Sequence, residues 1–229
     1  MAKCYYTGID SALNWYGGKY YMRKKLIKEF PEHHTYVEAC GGAAHTLIGK
    51  STSPIEVYND INKGLYDFFS ILRDPELSKQ LKHALKHTPY SKREFDNSKN
   101  WQQEENKIER VRQFYIRTMQ SVNCNGGWSK SIGKDTSNGM AGRVSMWLKN
   151  IDINLDKMTK RLRRVQIENR DIIDIIDIYD AEDTLFYIDP PYILETRTDT
   201  TGYEDEMSKA DHSNLVNRLK DIEGKVVLS

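Results

Sequence analysis

A short apolar segment, Leu185-Phe186-Tyr187-Ile188, runs without a break into Asp189-Pro190-Pro191-Tyr192. A strand of that composition belongs inside a sheet. The carboxylate that ends it then lies at the sheet's carboxyl edge, where open α/β folds bind ligands. Each proline fixes its own φ and lacks an N–H, so the turn is stiff and the Pro190 carbonyl has no adjacent donor. Tyr192 adds a ring with a polar tip, suited to stacking on a flat group. Together the four residues describe a clamp for a planar molecule that carries an amino group. The same residues also fit an ordinary strand-to-loop turn, in which Asp and Pro are common.

Strand and helix signals alternate at both ends of the chain, which argues for a parallel sheet with crossover helices. Thr35-Tyr36-Val37-Glu38-Ala39 reads as a first strand, with a helix near 43–50 after it, and Ile55-Glu56-Val57-Tyr58 as a second. Apolar residues at helical spacing (Ile61, Leu65, Phe68, Phe69, Leu72) predict a helix over 61–73 that stops before Pro75. Val165-Gln166-Ile167-Glu168, the segment 184–188 and Lys225-Val226-Val227-Leu228 supply three more strands. Between the second and third strands lies far more chain than a crossover helix needs. Its pattern is helical, one helix ending near Gln120 and another covering 145–162. A polar Gly/Ser/Asn loop over 123–142 separates them and is expected to be mobile. The expected organisation is a catalytic domain of residues 1–74 and 165–229, interrupted by a helical subdomain of residues 75–164.

The chain has 229 residues, enough for one sizeable core, and a formal net charge of +1. The charge is unevenly spread. Residues 107–164 hold 13 Lys and Arg against 4 acids, and residues 165–229 hold 6 against 16. A basic middle of this kind is the footprint of a polyanion-binding element, although a solvated helix face produces the same count. The three cysteines, Cys4, Cys40 and Cys124, match no metal-ligand spacing, nor do the six histidines, so no metal is expected. No apolar run approaches 18 residues and no signal-peptide pattern is present, which points to a cytoplasmic protein with reduced thiols and no membrane partner.

Two further features stand at strand ends. The first strand leads into Gly41-Gly42, and glycines between a strand and a helix let a ligand approach the backbone at the positive end of the helix. The second strand ends at Asp60, placed like the carboxylate that holds ribose hydroxyls in nucleotide-binding folds. A tight structural turn and an N-cap before Ile61 are the plain alternatives.

With these residues in view, the chain resembles the Dam-like, phage-type family of DNA adenine N6-methyltransferases along essentially its whole length. The matching segments are Asn14-Trp15-Tyr16-Gly17-Gly18-Lys19, Tyr36-Val37-Glu38 with Gly41-Gly42, Tyr58-Asn59-Asp60, Arg161-Leu162, residues 165–171, Asp189-Pro190-Pro191-Tyr192 and Val226-Val227-Leu228-Ser229. The resemblance implies a Rossmann-like methyltransferase fold and S-adenosylmethionine as cofactor. It assigns the cofactor to Trp15, Lys19, Glu38, Gly41, Gly42, Asp60, Ile61 and Asp171, with Lys19 near the methionine part, Asp60 on the ribose and Asp171 on the adenine amino group. Asp171 also reads as the cap of a helix beginning at Ile172.

It implies double-stranded DNA as substrate, with the target adenine flipped out of the stack. Asp189 and the Pro190 carbonyl would accept the two N–H groups of its amine, Pro191 would stiffen the turn, and Tyr192 would stack on the ring. Candidate DNA contacts are Ser121, Asn123, Trp128, Ser129, Lys130 and Arg143, with Trp128 equally readable as a core residue. A nucleoid-associated enzyme of a bacterial or phage-infected cell, solitary or part of restriction–modification, is the expected setting.

The chain departs from the family pattern at Ala39-Cys40, where Pro and an aromatic residue are usual. Family members also continue past the fifth strand, so a truncated enzyme is expected, with a homodimer as one way of covering the sheet edge. The alternatives are a catalytically inactive DNA- or cofactor-binding remnant and a cytosine N4-methyltransferase. Ser in place of Asp189 is typical of the latter.

Overall fold

In the computed structural model, residues 4–124, 126–192 and 206–229 are described. In chain order the elements are α1 (Arg23–Glu29), β1 (Thr35–Glu38), α2 (His45–Gly49), β2 (Ile55–Asn59), α3 (Lys63–Arg73), α4 (Pro75–Lys86), α5 (Lys92–Asn97) and α6 (Lys107–Met119). There follow β3 (Thr136–Ser137), β4 (Met140–Ala141), α7 (Gly142–Lys149), α8 (Leu155–Leu162), β5 (Gln166–Glu168), α9 (Ile172–Tyr179), β6 (Thr184–Ile188), α10 (Lys209–Lys220) and β7 (Lys225–Leu228). The residues fall into two compact units, one of Met1–Gly8, Gly17–Tyr66 and Arg164–Ser229, the other of Ile9–Tyr16 and Asp67–Arg163. The helical unit therefore takes residues 9–16 as well as the long insert.

The first unit is built on a five-stranded sheet in the order β5-β2-β1-β6-β7. Every pairing in it is parallel, with Val37 level with Val57 on one side and with Phe186 on the other. Strand residues alternate between two covered faces. On one face Val37, Ala39, Val57, Phe186 and Ile188 pack against Ile172, Ile175 and Ile176 of α9 and Leu215 of α10. On the other, Tyr36 and Tyr187 each lie 5.6 Å from the ring of Phe30, at the end of α1. Burial on both sides explains why β6 is apolar from Leu185 to Ile188 rather than alternating. Each such side chain contributes roughly 1.5–3 kcal/mol of transfer free energy. Sequence neighbours run outward from β1 in one direction and from β6 in the other, so the order reverses between these two strands. That reversal is where doubly wound sheets bind ligands.

The second unit is helical, with an aromatic core. Tyr115 stacks on Phe68 at 5.5 Å, and Trp147 donates its indole N–H to the Thr88 carbonyl at 3.1 Å. The helix expected over 145–162 is interrupted by a π-helical turn at Asn150–Asn154, where the Asn154 amide bonds to Asn150 at 2.7 Å. One extra residue per turn is accommodated there between α7 and α8.

Three local expectations need correction. The helix expected from Ile61 begins at Lys63, capped by the Asn62 side chain, which accepts from the Leu65 N–H at 3.1 Å. The helix expected from Ala43 begins at His45, because Ala44 sits in the left-handed region at φ 54°. The loop over 123–142 contains the antiparallel pair β3–β4, turned at Asn138-Gly139 with φ values of 52° and 74°. Two consecutive positive φ values give the tight hairpin turn that Asn-Gly favours.

Candidate active site

Four adjacent strands deliver their carboxyl ends to one edge of the sheet. Gly41-Gly42 follows β1, Asp60 follows β2, Asp171 follows β5 and Asp189 follows β6. Cys40 lies among them: burial first, and then the charges of Asp60, Asp189 and Asp171, push its thiol well above the ordinary range. The carboxylates predicted to serve cofactor and substrate therefore do converge.

The glycine turn is held by its neighbours. Gly41 donates to the Asn59 carbonyl at 2.8 Å, Tyr58 Oη donates to the Gly42 carbonyl at 2.8 Å, and Gly42 has φ +50°. Asp60 accepts from the Gly42 N–H at 2.8 Å through Oδ2 and from the Asn62 N–H at 2.9 Å through Oδ1. Ile61, 53 % exposed, lends an apolar face beside it. Asp171 caps α9, accepting from the Ile173 N–H at 2.8 Å, and is exposed.

Asn59 ties three of these strand ends together. Its amide donates to the carbonyls of Ala39 (2.9 Å) and Arg170 (3.1 Å), and its oxygen accepts from the Arg170 N–H (2.9 Å). Asn169 adds bonds to the carbonyls of Asp60 and Ile61 at 2.7 and 2.9 Å. Neither asparagine was among the predicted site residues, and the Asn59–Arg170 bonds span 111 positions of sequence.

Glu38 is 2 % exposed, and its Oε2 accepts from Tyr36 Oη (2.8 Å), Thr46 Oγ1 (2.6 Å) and the Leu47 N–H (2.8 Å). It thus fastens the start of α2 to β1. Burial lifts its carboxyl from the ordinary 4.5 to about 7, against the pull of those donors. The folded chain then binds this proton more tightly than the unfolded chain, so stability falls as pH rises from about 4.5 to about 7 and is level above. Glu38→Gln removes that slope. The stability of the variant should gain on that of the parent by roughly 3 kcal/mol between pH 5 and 8, read from paired melting curves. A gap independent of pH would show that Glu38 is ionised throughout.

At the clamp, Asp189 lies largely buried, and its carboxylate accepts from Lys19 Nζ at 2.6 and 2.7 Å and from Ser229 Oγ at 3.1 Å. Tyr192 Oη accepts from Lys19 Nζ at 3.0 Å. Burial raises the Asp189 carboxyl above its usual value, and Lys19 opposes that rise. Burial lowers the Lys19 ammonium, but Asp189 and Tyr192 together carry it above its usual value. Pro191 is anchored from α10, where His212 Nε2 donates to its carbonyl at 3.0 Å. His212 was not anticipated, since nothing near it in sequence signals the contact.

Trp15 belongs to the helical unit, its ring 6.0 Å from that of Phe114. Among the candidate DNA contacts, Ser121 and Ser129 are buried, bracketing a tight turn in which Ser121 bridges Trp128. The Trp128 ring lies 6.0 Å from Tyr90, and its buried N–H has no partner among the described residues. Asn123, at φ 53°, is exposed, as are Lys130 and Arg143. Charge counting overstated the basic surface: Arg110 pairs with Asp67, Arg112 with Glu94 and Glu109, and Arg161 is buried. Among the described residues no group of His, Cys, Asp or Glu is gathered as a metal site, and no helix is long and apolar enough to cross a membrane.

A family model described as D12 class N6 adenine-specific DNA methyltransferase matches residues 15–229. No curated protein matches the chain.

Proposed function

Because the chain belongs to the D12 class of N6 adenine-specific DNA methyltransferases, we propose that Asp189, Pro190, Pro191 and Tyr192 form the target-base clamp of its methyl transfer. The activity is transfer to the N6 of adenine in DNA, and the family implies S-adenosylmethionine as the donor. The observation that carries the site assignment is the arrival of the glycine turn, Asp60 and the clamp at one sheet edge beside the strand-order reversal.

The residues suit that cofactor. A Cβ at Gly41 would stand 2.2 Å from the Tyr58 ring, so the turn keeps its backbone bare, as close approach of a ligand requires. Gly41 and Gly42 would lie under the cofactor, Asp60 would accept from ribose hydroxyls, Ile61 would flank its ring and Asp171 would accept from its amino group. Glu38 acts from within by holding α2 to β1, and Lys19 supplies the cation at this edge. Trp15, half-buried beside Phe114, would flank the methionine part. When bound, the cofactor supplies an electrophilic methyl group on a sulfonium.

The chain's own residues do the rest. A target amine is a weak nucleophile because its lone pair is delocalised into the ring. Asp189 and the Pro190 carbonyl accept its two N–H groups, favouring a pyramidal nitrogen and offsetting the positive charge that develops there. Tyr192 stacks on the flipped base, and His212 keeps the loop in register through the Pro191 carbonyl. Positioning and electrostatics are the whole contribution, with no covalent enzyme intermediate.

Incubation with labelled S-adenosylmethionine and unmethylated genomic DNA, followed by nucleoside analysis, should yield N6-methyladenine. Label in N4-methylcytosine, or in none of the nucleosides, would overturn the reading. For DNA contacts we assign Lys130 and Arg143 to phosphates beside the exposed hairpin, with Asn123 reaching base edges, and Ser121, Trp128 and Ser129 shaping the turn that carries them. Lys130→Ala and Arg143→Ala should each lower the dependence of log affinity on log salt by about 1, measured by titration at several salt concentrations. An unchanged slope removes that residue from the interface.

A further inference from the structure

The clamp already holds an amine. Lys19 Nζ donates to both oxygens of Asp189 at 2.6 and 2.7 Å, to Tyr192 Oη at 3.0 Å and to the Gly17 carbonyl at 3.2 Å. It lies 5.2 Å from the centroid of the Tyr192 ring. Only 13 % of the Lys19 side chain and 16 % of that of Asp189 remain exposed, so the pair is largely dry. The acid and the aromatic face are the groups that the reaction needs for the exocyclic amine of the target base. A donor-only cation from the chain itself now makes those contacts.

Two consequences follow from charge. A carboxylate this poorly solvated stays ionised only with a cation or several donors against it. Here the cation is Lys19, while Ser229 and Tyr192 add hydroxyls at 3.1 and 3.4 Å. Conversely, a second cation beside the carboxylate would oppose the positive charge that grows on the attacking nitrogen, so the ammonium must withdraw before transfer. The tether allows this: Gly17 and Gly18 precede Lys19, and Gly17 has φ +72°.

Resting on the function proposed above, we propose that Lys19 is a positioning residue for methyl transfer. Its ammonium holds the Asp189 carboxylate ionised and turned into the clamp, and yields its place to the amine of the target base. Substrate binding is then an exchange, at the Asp189 carboxylate, of one N–H donor for another.

The test compares the parent chain with Lys19→Met and Lys19→Arg. The Asp189 carboxyl is followed by carbon NMR across pH, and methyl transfer from labelled S-adenosylmethionine to unmethylated genomic DNA is followed over the same range. In Lys19→Met the Asp189 titration and the acid limb of the transfer profile should move to higher pH together. Transfer at the acid end should then fall about tenfold more than at the alkaline end. Lys19→Arg, which keeps a cation there, should restore both. The proposal is overturned if Asp189 titrates alike in the parent and Lys19→Met. It is equally overturned if Lys19→Met changes only the KM for the cofactor and leaves the acid limb in place. Should no chain transfer methyl groups, the titration still decides the role of Lys19, and only the functional reading falls.

Discussion

Asp189→Ala is expected to lower methyl transfer by roughly 10²–10³-fold, the scale seen when one preorganised electrostatic partner of a transition state is removed. Cofactor affinity should change little, because Gly41, Gly42, Asp60, Ile61 and Asp171, assigned to the cofactor, follow β1, β2 and β5 rather than β6. The alanine variant has a second consequence. It strands the Lys19 ammonium, whose exposure is 13 %, without its counter-ion, and orphaned buried charges of this kind cost about 3–5 kcal/mol. Asp189→Asn separates the two effects, since the amide keeps the shape and one acceptor while losing the charge. The expected pattern is near-parental cofactor binding by calorimetry with greatly reduced transfer in both variants. Parental rates in Asp189→Asn would remove the carboxylate from the mechanism.

Gly41→Ala is expected to have the next largest effect, by an unrelated route. The new methyl would meet Tyr58 Cε2 at 2.2 Å and Cδ2 at 2.6 Å. Tyr58 has no room to retreat, being fully buried and donating to the Gly42 carbonyl at 2.8 Å. Overpacking of this kind costs about 1–3 kcal/mol, and relieving it would shift the turn proposed to underlie the cofactor. A melting point lower by several degrees should accompany at least a tenfold loss of cofactor affinity. Adding Tyr58→Leu should recover part of the stability, since the two positions share one contact and are not additive. A Gly41→Ala protein that melts and binds cofactor like the parent would refute the close-packed turn.

The strands were the most legible part of the molecule. The segments read at 184–188 and 225–228 coincide with β6 and β7, because a run of apolar β-formers bounded by polar turns admits few other structures. Capping was legible where a single side chain acts locally, as Asp171 does at the start of α9. The start of α3 was misplaced by two residues because Asp60 and Asn62 are both good caps, and only the fold decides which one accepts from the helix. The hairpin around Asn138-Gly139 did have a sequence signal, which the polar, strand-poor surroundings obscured.

The second layer of the site was not legible. Asn59, Asn169 and His212 act through backbone atoms far away in sequence, and a hydrogen bond to a carbonyl leaves no trace in the identity of the residue that owns it. The Lys19–Asp189 pair joins positions 170 residues apart, and the family resemblance had directed Lys19 toward the cofactor instead. Charge counting failed differently, because Arg110 and Arg112 serve ion pairs within their own unit.

A lysine resting in the clamp also bears on which adenines the enzyme can notice. Cells contain free nucleotides whose exocyclic amine is the same as that of the target base. The Lys19 amine, tethered by a few residues, competes at an effective concentration of roughly millimolar or above, which raises the concentration a soluble nucleotide needs to displace it. A base swung out of a bound duplex is tethered too, and it arrives with the same advantage. On the role proposed for Lys19, the self-filled clamp therefore favours a base delivered by bound DNA over the same base arriving free.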